Sequence, residues 1–134
     1  SGASIASPTL ADARRLTEEG RYKDAQKAYR AIISQKREAG EYSADAMRGL
    51  AQVEFALGNL RATATALDDL ADAAGHFGDP ETQVTSLFQA ALIHQDLKNR
   101  EQVTDHLAKI RSLLKSPAIS EETRRDVVSR IPRG

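Results

Sequence analysis

Residues 16–33 read LTEEGRYKDAQKAYRAII, which is the sequence of a helix end, a turn and a second helix. Gly20 interrupts one amphipathic pattern, and a second pattern follows Tyr22 with apolar residues at spacings of three and four. The apolar positions of the second helix are Ala25, Ala28, Tyr29, Ile32 and Ile33. The stretch therefore predicts a helical hairpin.

The same turn occurs twice more. It recurs about 38 residues later at Leu57-Gly58-Asn59-Leu60, and about 40 residues beyond that at Leu97-Lys98-Asn99-Arg100. A nearly constant spacing of this size is typical of a helical repeat array, and no segment shows the alternation of a strand. We predict an all-α fold: an α-α superhelix of three antiparallel helical hairpins and a C-terminal capping helix.

Cap residues set the expected boundaries. We expect residues 1–7 to form a flexible tail and residues 8–131 to form one repeat domain, with repeats at about 8–40, 43–78 and 80–115 and the capping helix at 120–131. A polar cap or a cap followed by proline predicts helix starts at Ser7-Pro8, Ser43, Asp79-Pro80 and Ser120. Asn99 with Gln102 predicts a capping box for the sixth helix.

Composition excludes several classes of function. The chain has 19 Lys and Arg against 19 Asp and Glu, so no overall field draws it to nucleic acid, and the Arg124-Arg125 cluster with Arg130 and Arg133 is interspersed with acids. The absence of Cys excludes disulfides and thiolate chemistry. No apolar run approaches the roughly 20 residues of a membrane span. We expect a soluble protein, with the cytoplasm slightly favoured over the periplasm.

Catalytic motifs are absent, so we expect a protein that is not an enzyme and uses no cofactor. His94 and His106, near Asp96 and Asp105, make a His/Asp metal site geometrically conceivable. However, no helix carries two histidines at ligand spacing with a carboxylate between them. The sequence therefore favours ordinary interface or surface histidines and no metal.

In this register the chain resembles a tetratricopeptide repeat protein over residues 8–115. Gly20, Tyr22, Ala25, Tyr29 and Ile32 match the family's turn glycine, aromatic, small and apolar positions in the first copy. The period exceeds the family's usual value of about 34, so the chain is similar to the longer-repeat branch found in bacterial regulators and signalling scaffolds. The resemblance implies that the first helix of each hairpin lines a concave surface.

Carried over to this sequence, the concave surface comprises Arg14, Thr17, Arg48, Gln52, Phe55, Phe88, Leu92 and Gln95. Phe55, Phe88 and Leu92 predict an apolar strip for a partner, although aromatic residues at helical spacing also occur in cores. Arg14 and Arg48 are either donors toward a partner's carboxylate or solvated side chains. These alternatives stay open at the level of sequence.

The leading functional hypothesis is a non-enzymatic interaction module that binds a peptide or protein segment on this concave face. The alternative is a structural, self-associating scaffold module that forms a homodimer through hairpin or terminal-helix faces, because an array exposes apolar ends where it is not capped. Neither hypothesis involves nucleic acid or a membrane span.

Overall fold

A computed structural model describes residues 7–132, and all regular structure in that range is helical. The all-α prediction is confirmed. The expected tail lies almost wholly outside the described residues, as does Arg133. The seven helices are α1 (Leu10–Glu18), α2 (Tyr22–Glu38), α3 (Ala44–Ala56), α4 (Leu60–His76), α5 (Pro80–Asp96), α6 (Arg100–Leu113) and α7 (Glu121–Arg130).

The helices pack in the order in which they occur. α1 contacts α2, α3 contacts α4, and α5 contacts α6, which gives three hairpins. Contacts of α2 with α3 and of α4 with α5 join each hairpin to the next, α1 also touches α3, and α7 packs on α5. Each hairpin therefore contacts mainly its neighbours, as in a stacked array.

Each hairpin turn uses one residue with a positive φ. Gly20 has φ 73°, Gly58 has φ 79° and Lys98 has φ 64°. In all three turns the N–H of the next residue donates to a carbonyl oxygen five residues before it, at 2.9 Å. This bond satisfies a carbonyl oxygen that would otherwise be unpaired at the C-terminus of the first helix of each hairpin. The third hairpin thus keeps the turn of the other two although Lys98 has replaced the glycine.

Replacing Lys98 with glycine is expected to raise the free energy of unfolding by about 0.5–1 kcal/mol, because relief of left-handed strain exceeds the greater entropy of the unfolded glycine. Urea denaturation followed by circular dichroism measures the change. Lys98→Ala is the control, since it removes the charge and keeps the Cβ atom. A glycine variant no more stable than the alanine variant would show that this turn is unstrained.

Three of the expected caps are confirmed: the side chains of Ser43, Asp79 and Ser120 accept backbone N–H groups in the first turns of α3, α5 and α7. The predicted start at Ser7-Pro8 is wrong, because Thr9 caps α1. Thr9 Oγ1 accepts from the Asp12 N–H at 3.1 Å, and Asp12 Oδ2 accepts from the Thr9 N–H at 2.9 Å. This reciprocal pair satisfies two free donors at once, so the helix begins two residues later than predicted.

The predicted capping box of α6 is also wrong. The Asn99 side chain makes no cap hydrogen bond, and its Nδ2 instead lies 3.0 Å from His94 Nδ1. Because the Asn99 amide faces this buried imidazole, it makes no hydrogen bond to the free N–H groups in the first turn of α6. Asn59 behaves in the same way at the second turn: it makes no cap hydrogen bond, and its Nδ2 lies 3.1 Å from Glu54 Oε1.

The buried hydrophobic residues form separate clusters along the array. At the N-terminal end, Ala13, Ala25 and Ala46 are fully buried and let the helices approach closely around Tyr29. At the C-terminal end the cluster is bulkier, and α7 contributes to it. Its buried members are Ala71, Val84, Leu87, Phe88, Ile110, Leu114, Ile119 and Val127.

One arginine fastens α7 to the segment before it. The Arg124 guanidinium donates to the carbonyl oxygens of Leu114, Ser116 and Ile119. These carbonyls lie at and after the end of α6, where a helix leaves acceptors unpaired and favours a cation. These hydrogen bonds therefore satisfy the free carbonyl oxygens at the end of α6 and hold α7 in position against α5.

Candidate functional site

A groove of about 390 Å³ lies between α3 and α5. Buried residues of α4, Thr63 and Leu67, form its base. We call it the α3–α5 groove. Its remaining lining residues are Arg48, Ala51, Gln52, Phe55, Gln89, Leu92 and Ile93.

Two large apolar side chains are exposed in this groove. Phe55 is 57% exposed and Leu92 is 40% exposed, and only two other large hydrophobic residues in residues 7–132 are similarly open. An isolated exposed apolar residue is common on protein surfaces, but two that line the same groove form a patch that favours contact with another molecule. The structure thus brings together Arg48, Gln52, Phe55 and Leu92 of the predicted surface.

The third residue of the predicted apolar strip, Phe88, is not part of the groove. It is only 6% exposed and belongs to the C-terminal core, where the Arg130 guanidinium carbon lies 4.6 Å from the centre of its ring. Positions 88 and 92 share a face of α5 because they are four residues apart. However, Val127 of α7 is buried in the same cluster as Phe88, so α7 covers position 88 and leaves Leu92 open.

The two arginines of the predicted surface are paired within the chain. Arg14 lies 3.4 Å from Asp45 Oδ2, and Arg48 lies 3.3 Å from Asp45 Oδ1. They line an adjacent hollow of about 280 Å³ with Thr17, Gln52 and Glu18 among the other residues. Two positive and two negative side chains balance there, so the expected cationic donor for a partner's carboxylate is not free. Such exposed pairs contribute at most about 1 kcal/mol each.

Thr17 and Gln95 also lie away from the α3–α5 groove. The Thr17 hydroxyl donates to the Ala13 carbonyl oxygen of its own helix at 2.9 Å. Gln95 lines a separate hollow with Lys98, Arg100 and residues of α6. Apart from the buried Phe88, the predicted surface is therefore divided among three hollows, of which the α3–α5 groove holds the two exposed large apolar side chains.

Another exposed aromatic, Phe77, has its partner inside the chain. Its ring stacks on Tyr42 with centroids 4.9 Å apart, beside a hollow of about 290 Å³. The Tyr42 hydroxyl donates to Asp79 Oδ2 at 2.5 Å. Burial, followed by this bond to the carboxylate, raises the pKa of Tyr42 to about 12, so the hydroxyl keeps its proton. The two stacked rings therefore form a contact between the segment that connects α2 to α3 and the segment that connects α4 to α5.

Sequence reasoning missed a buried polar junction between the first two hairpins. Glu54 is only 2% exposed, yet its carboxylate accepts from Gln26 Nε2 at 2.8 Å and from Asn59 Nδ2 at 3.1 Å. An Arg30 guanidinium nitrogen lies 3.0 Å from its other oxygen. A buried carboxylate is tolerated when it is both paired and hydrogen-bonded, as here.

A second polar junction joins the second hairpin to the third. Asp68 Oδ2 lies 2.9 Å from His94 Nε2, and Asp68 Oδ1 lies 2.6 Å from His106 Nε2. The acids that the sequence suggested as neighbours of these histidines, Asp96 and Asp105, are exposed and outside this cluster.

The signal for both junctions is visible in the repeat register. Arg30 and Asp68 occupy equivalent positions of α2 and α4, at the spacing of Gly20 and Gly58. Glu54 and His94 are likewise equivalent, as are Asn59 and Asn99, at the spacing of Gly58 and Lys98. Comparison of polar residues at matching repeat positions would have placed Asp68 opposite His94.

A scan against protein-family models found no match, and neither did searches of curated proteins and of solved structures. Among the residues that the structure describes, no helix has both the length and the apolar character needed to cross a bilayer. The described residues form an all-α protein of helical hairpins whose α3–α5 groove exposes two large apolar side chains.

Proposed function

We propose that this protein is a non-enzymatic interaction module whose α3–α5 groove holds a peptide or a segment of a partner protein. The observation that carries the proposal is the exposure of Phe55 and Leu92 in one groove. The hairpin order and the three equivalent turns support, as part of the same proposal, membership of the tetratricopeptide repeat family. In that family the first helices of successive hairpins line the binding face.

The proposed ligand is a segment anchored by apolar side chains. Ala51, Ile93 and Leu67 supply an apolar lining beside the two exposed anchors, and Arg48, Gln52 and Gln89 supply polar groups at the same groove. Because the charges of the adjoining hollow balance, we expect binding to depend weakly on salt. Full burial of a Phe or Leu side chain contributes about 1.5–3 kcal/mol, so two half-exposed anchors can supply a similar total.

Display selection from a random peptide library on the wild-type chain provides the ligands with which to test the groove. Replacing Phe55 or Leu92 with serine is expected to weaken binding of the selected peptides about tenfold or more, since a loss of about 1.4 kcal/mol is a factor of ten in Kd. Val128→Ser is the matched control, because Val128 is 55% exposed on α7 and lies outside the groove. Calorimetry measures each Kd.

Selected peptides that bind the Phe55 and Leu92 variants as tightly as the wild type would overturn the proposal. Light scattering during size exclusion is measured first, because it tests the homodimer alternative. A monomer leaves the groove open for a different partner. A dimer that Phe55→Ser dissociates identifies a second copy of the chain as the occupant.

A further inference from the structure

Three helices bring one carboxylate and two imidazoles together at the junction of the second and third hairpins. Asp68 belongs to α4, His94 to α5 and His106 to α6, and their potential ligand atoms all lie within 4.8 Å of one another. The two imidazole rings meet edge to face with centroids 5.1 Å apart. Both histidines are largely buried, whereas the Asp68 side chain is about one-third exposed.

The equivalent junction one repeat earlier shows what this cluster lacks. There, the buried Glu54 carboxylate is paired with Arg30, which carries a permanent positive charge. Among residues 7–132 the ion-pair partners of Asp68 are the two imidazoles alone, and an imidazole is charged only when protonated. The carboxylate at this junction therefore has no fixed cation, and a divalent metal ion would supply one.

The hydrogen bonding of the cluster is also incomplete. The Asn99 amide nitrogen donates to His94 Nδ1, so His94 Nε2 carries the proton and donates to Asp68. His106 Nε2 lies within hydrogen-bonding distance of the same carboxylate, while its Nδ1 is buried without a partner in the described part of the chain. It is the only buried side-chain polar atom there in this condition. A metal ion on Nε2 would leave this nitrogen without a protein partner, so the orphaned atom does not itself favour a metal; the donor set and the missing fixed cation do.

We propose that Asp68, His94 and His106 form a Zn²⁺ site that joins α4, α5 and α6. Two imidazole nitrogens and one carboxylate oxygen are a donor set typical of zinc, with three protein ligands and one position for water. The exposed side of Asp68 gives solvent access to that fourth position. The site is separate from the α3–α5 groove and stands without the proposed binding function.

Accepting the ion requires shifts of about 1 Å or less, because zinc bonds of about 2.0–2.1 Å in a tetrahedron separate neighbouring ligand atoms by about 3.3 Å. The carboxylate–imidazole distances of 2.9 Å and 2.6 Å must lengthen, and the two imidazole nitrogens, which lie within 4.8 Å of each other, must reach the same separation. Each neutral imidazole keeps one proton, which moves from Nε2 to Nδ1. Rotation of the Asn99 amide then presents its oxygen to the new Nδ1–H of His94, which is the supporting contact expected of a metal-bound histidine.

Zinc binding is tested on the untagged chain after removal of metal with a chelator, by calorimetry with zinc chloride and by thermal unfolding. We expect one Zn²⁺ per chain and a rise in Tm of roughly 5–10 °C at a zinc concentration about 100 times Kd. Asp68→Asn and His106→Gln are expected to weaken binding at least tenfold while circular dichroism shows that the helices remain. His76→Gln is the control, because His76 is exposed at the end of α4 and outside the cluster.

A variant that is expected to bind zinc more tightly provides a test that does not depend on the loss of a ligand. Asn99→Asp replaces the donor to His94 Nδ1 with an acceptor, which favours the tautomer whose Nε2 binds metal, so it is expected to tighten zinc binding about tenfold. Absence of stoichiometric binding by the wild type would overturn the proposal. So would binding that survives both site variants, or binding that His76→Gln removes.

Discussion

Phe88→Ala is expected to lower the free energy of unfolding by about 3–4 kcal/mol. The ring is buried in the C-terminal core with Val84, Ile110 and Val127, which come from three different helices. Truncation removes apolar contacts from all three and leaves a cavity that the surrounding helices fill only in part. It also removes the ring face against which the Arg130 guanidinium lies. Urea denaturation followed by circular dichroism at 222 nm measures the loss of unfolding free energy.

The matched comparison is Phe55→Ala, which is expected to change the free energy of unfolding by less than about 1 kcal/mol because Phe55 is mostly exposed. The two variants should therefore differ in which property they change. Phe88→Ala should cost stability, and Phe55→Ala should cost peptide affinity. Equal losses of stability in the two variants would contradict the assignment of one phenylalanine to the core and the other to the groove.

Gly49→Ala is expected to lower the free energy of unfolding by about 2–3 kcal/mol, the upper part of the range for an overpacked core. A Cβ atom at position 49 would lie 2.3 Å from two ring carbons of Tyr29 and 2.8 Å from its hydroxyl oxygen. The Tyr29 ring is itself buried between α2 and α3, so it has little room to move. The glycine is thus required by close approach, although its helix would otherwise favour alanine.

Gly75→Ala is the matched control in α4. Its Cβ atom would meet the end of the Gln83 side chain at 2.9 Å, and a half-buried glutamine can turn aside. We expect this variant to be neutral or to gain up to about 1 kcal/mol from helix propensity. A second check is the pair Gly49→Ala with Tyr29→Leu, which should cost at least about 1 kcal/mol less than the sum of the single changes. Strict additivity would show that Tyr29 is not the obstacle.

The helices and their turns were predictable because they depend on local pattern. The three-four spacing of apolar residues gives the helices, and caps such as Ser43 and Asp79 give their starts. Even Lys98 was predictable as a turn residue, since the neighbouring repeat pattern keeps it in register with Gly20 and Gly58. Each of these signals lies within a few residues of the feature that it predicts.

The groove and the polar junctions were harder because they depend on residues far apart in sequence. Phe88 and Leu92 are equivalent in helical pattern, and only the packing of α7 makes one buried and one exposed. Asp68 meets His94 and His106 across 26 and 38 residues, so the acids beside each histidine were the wrong ones to consider. Tertiary contacts of this kind override local pattern.

The most direct test of the central claim is a nuclear magnetic resonance titration of the ¹⁵N-labelled chain with a selected peptide. We predict that the largest amide shift changes occur at Gln52, Phe55, Gln89 and Leu92, in the α3–α5 groove, and that they vanish in the Phe55→Ser variant. Shift changes centred on α7 or on the Tyr42–Phe77 hollow, and unchanged by Phe55→Ser, would contradict the account.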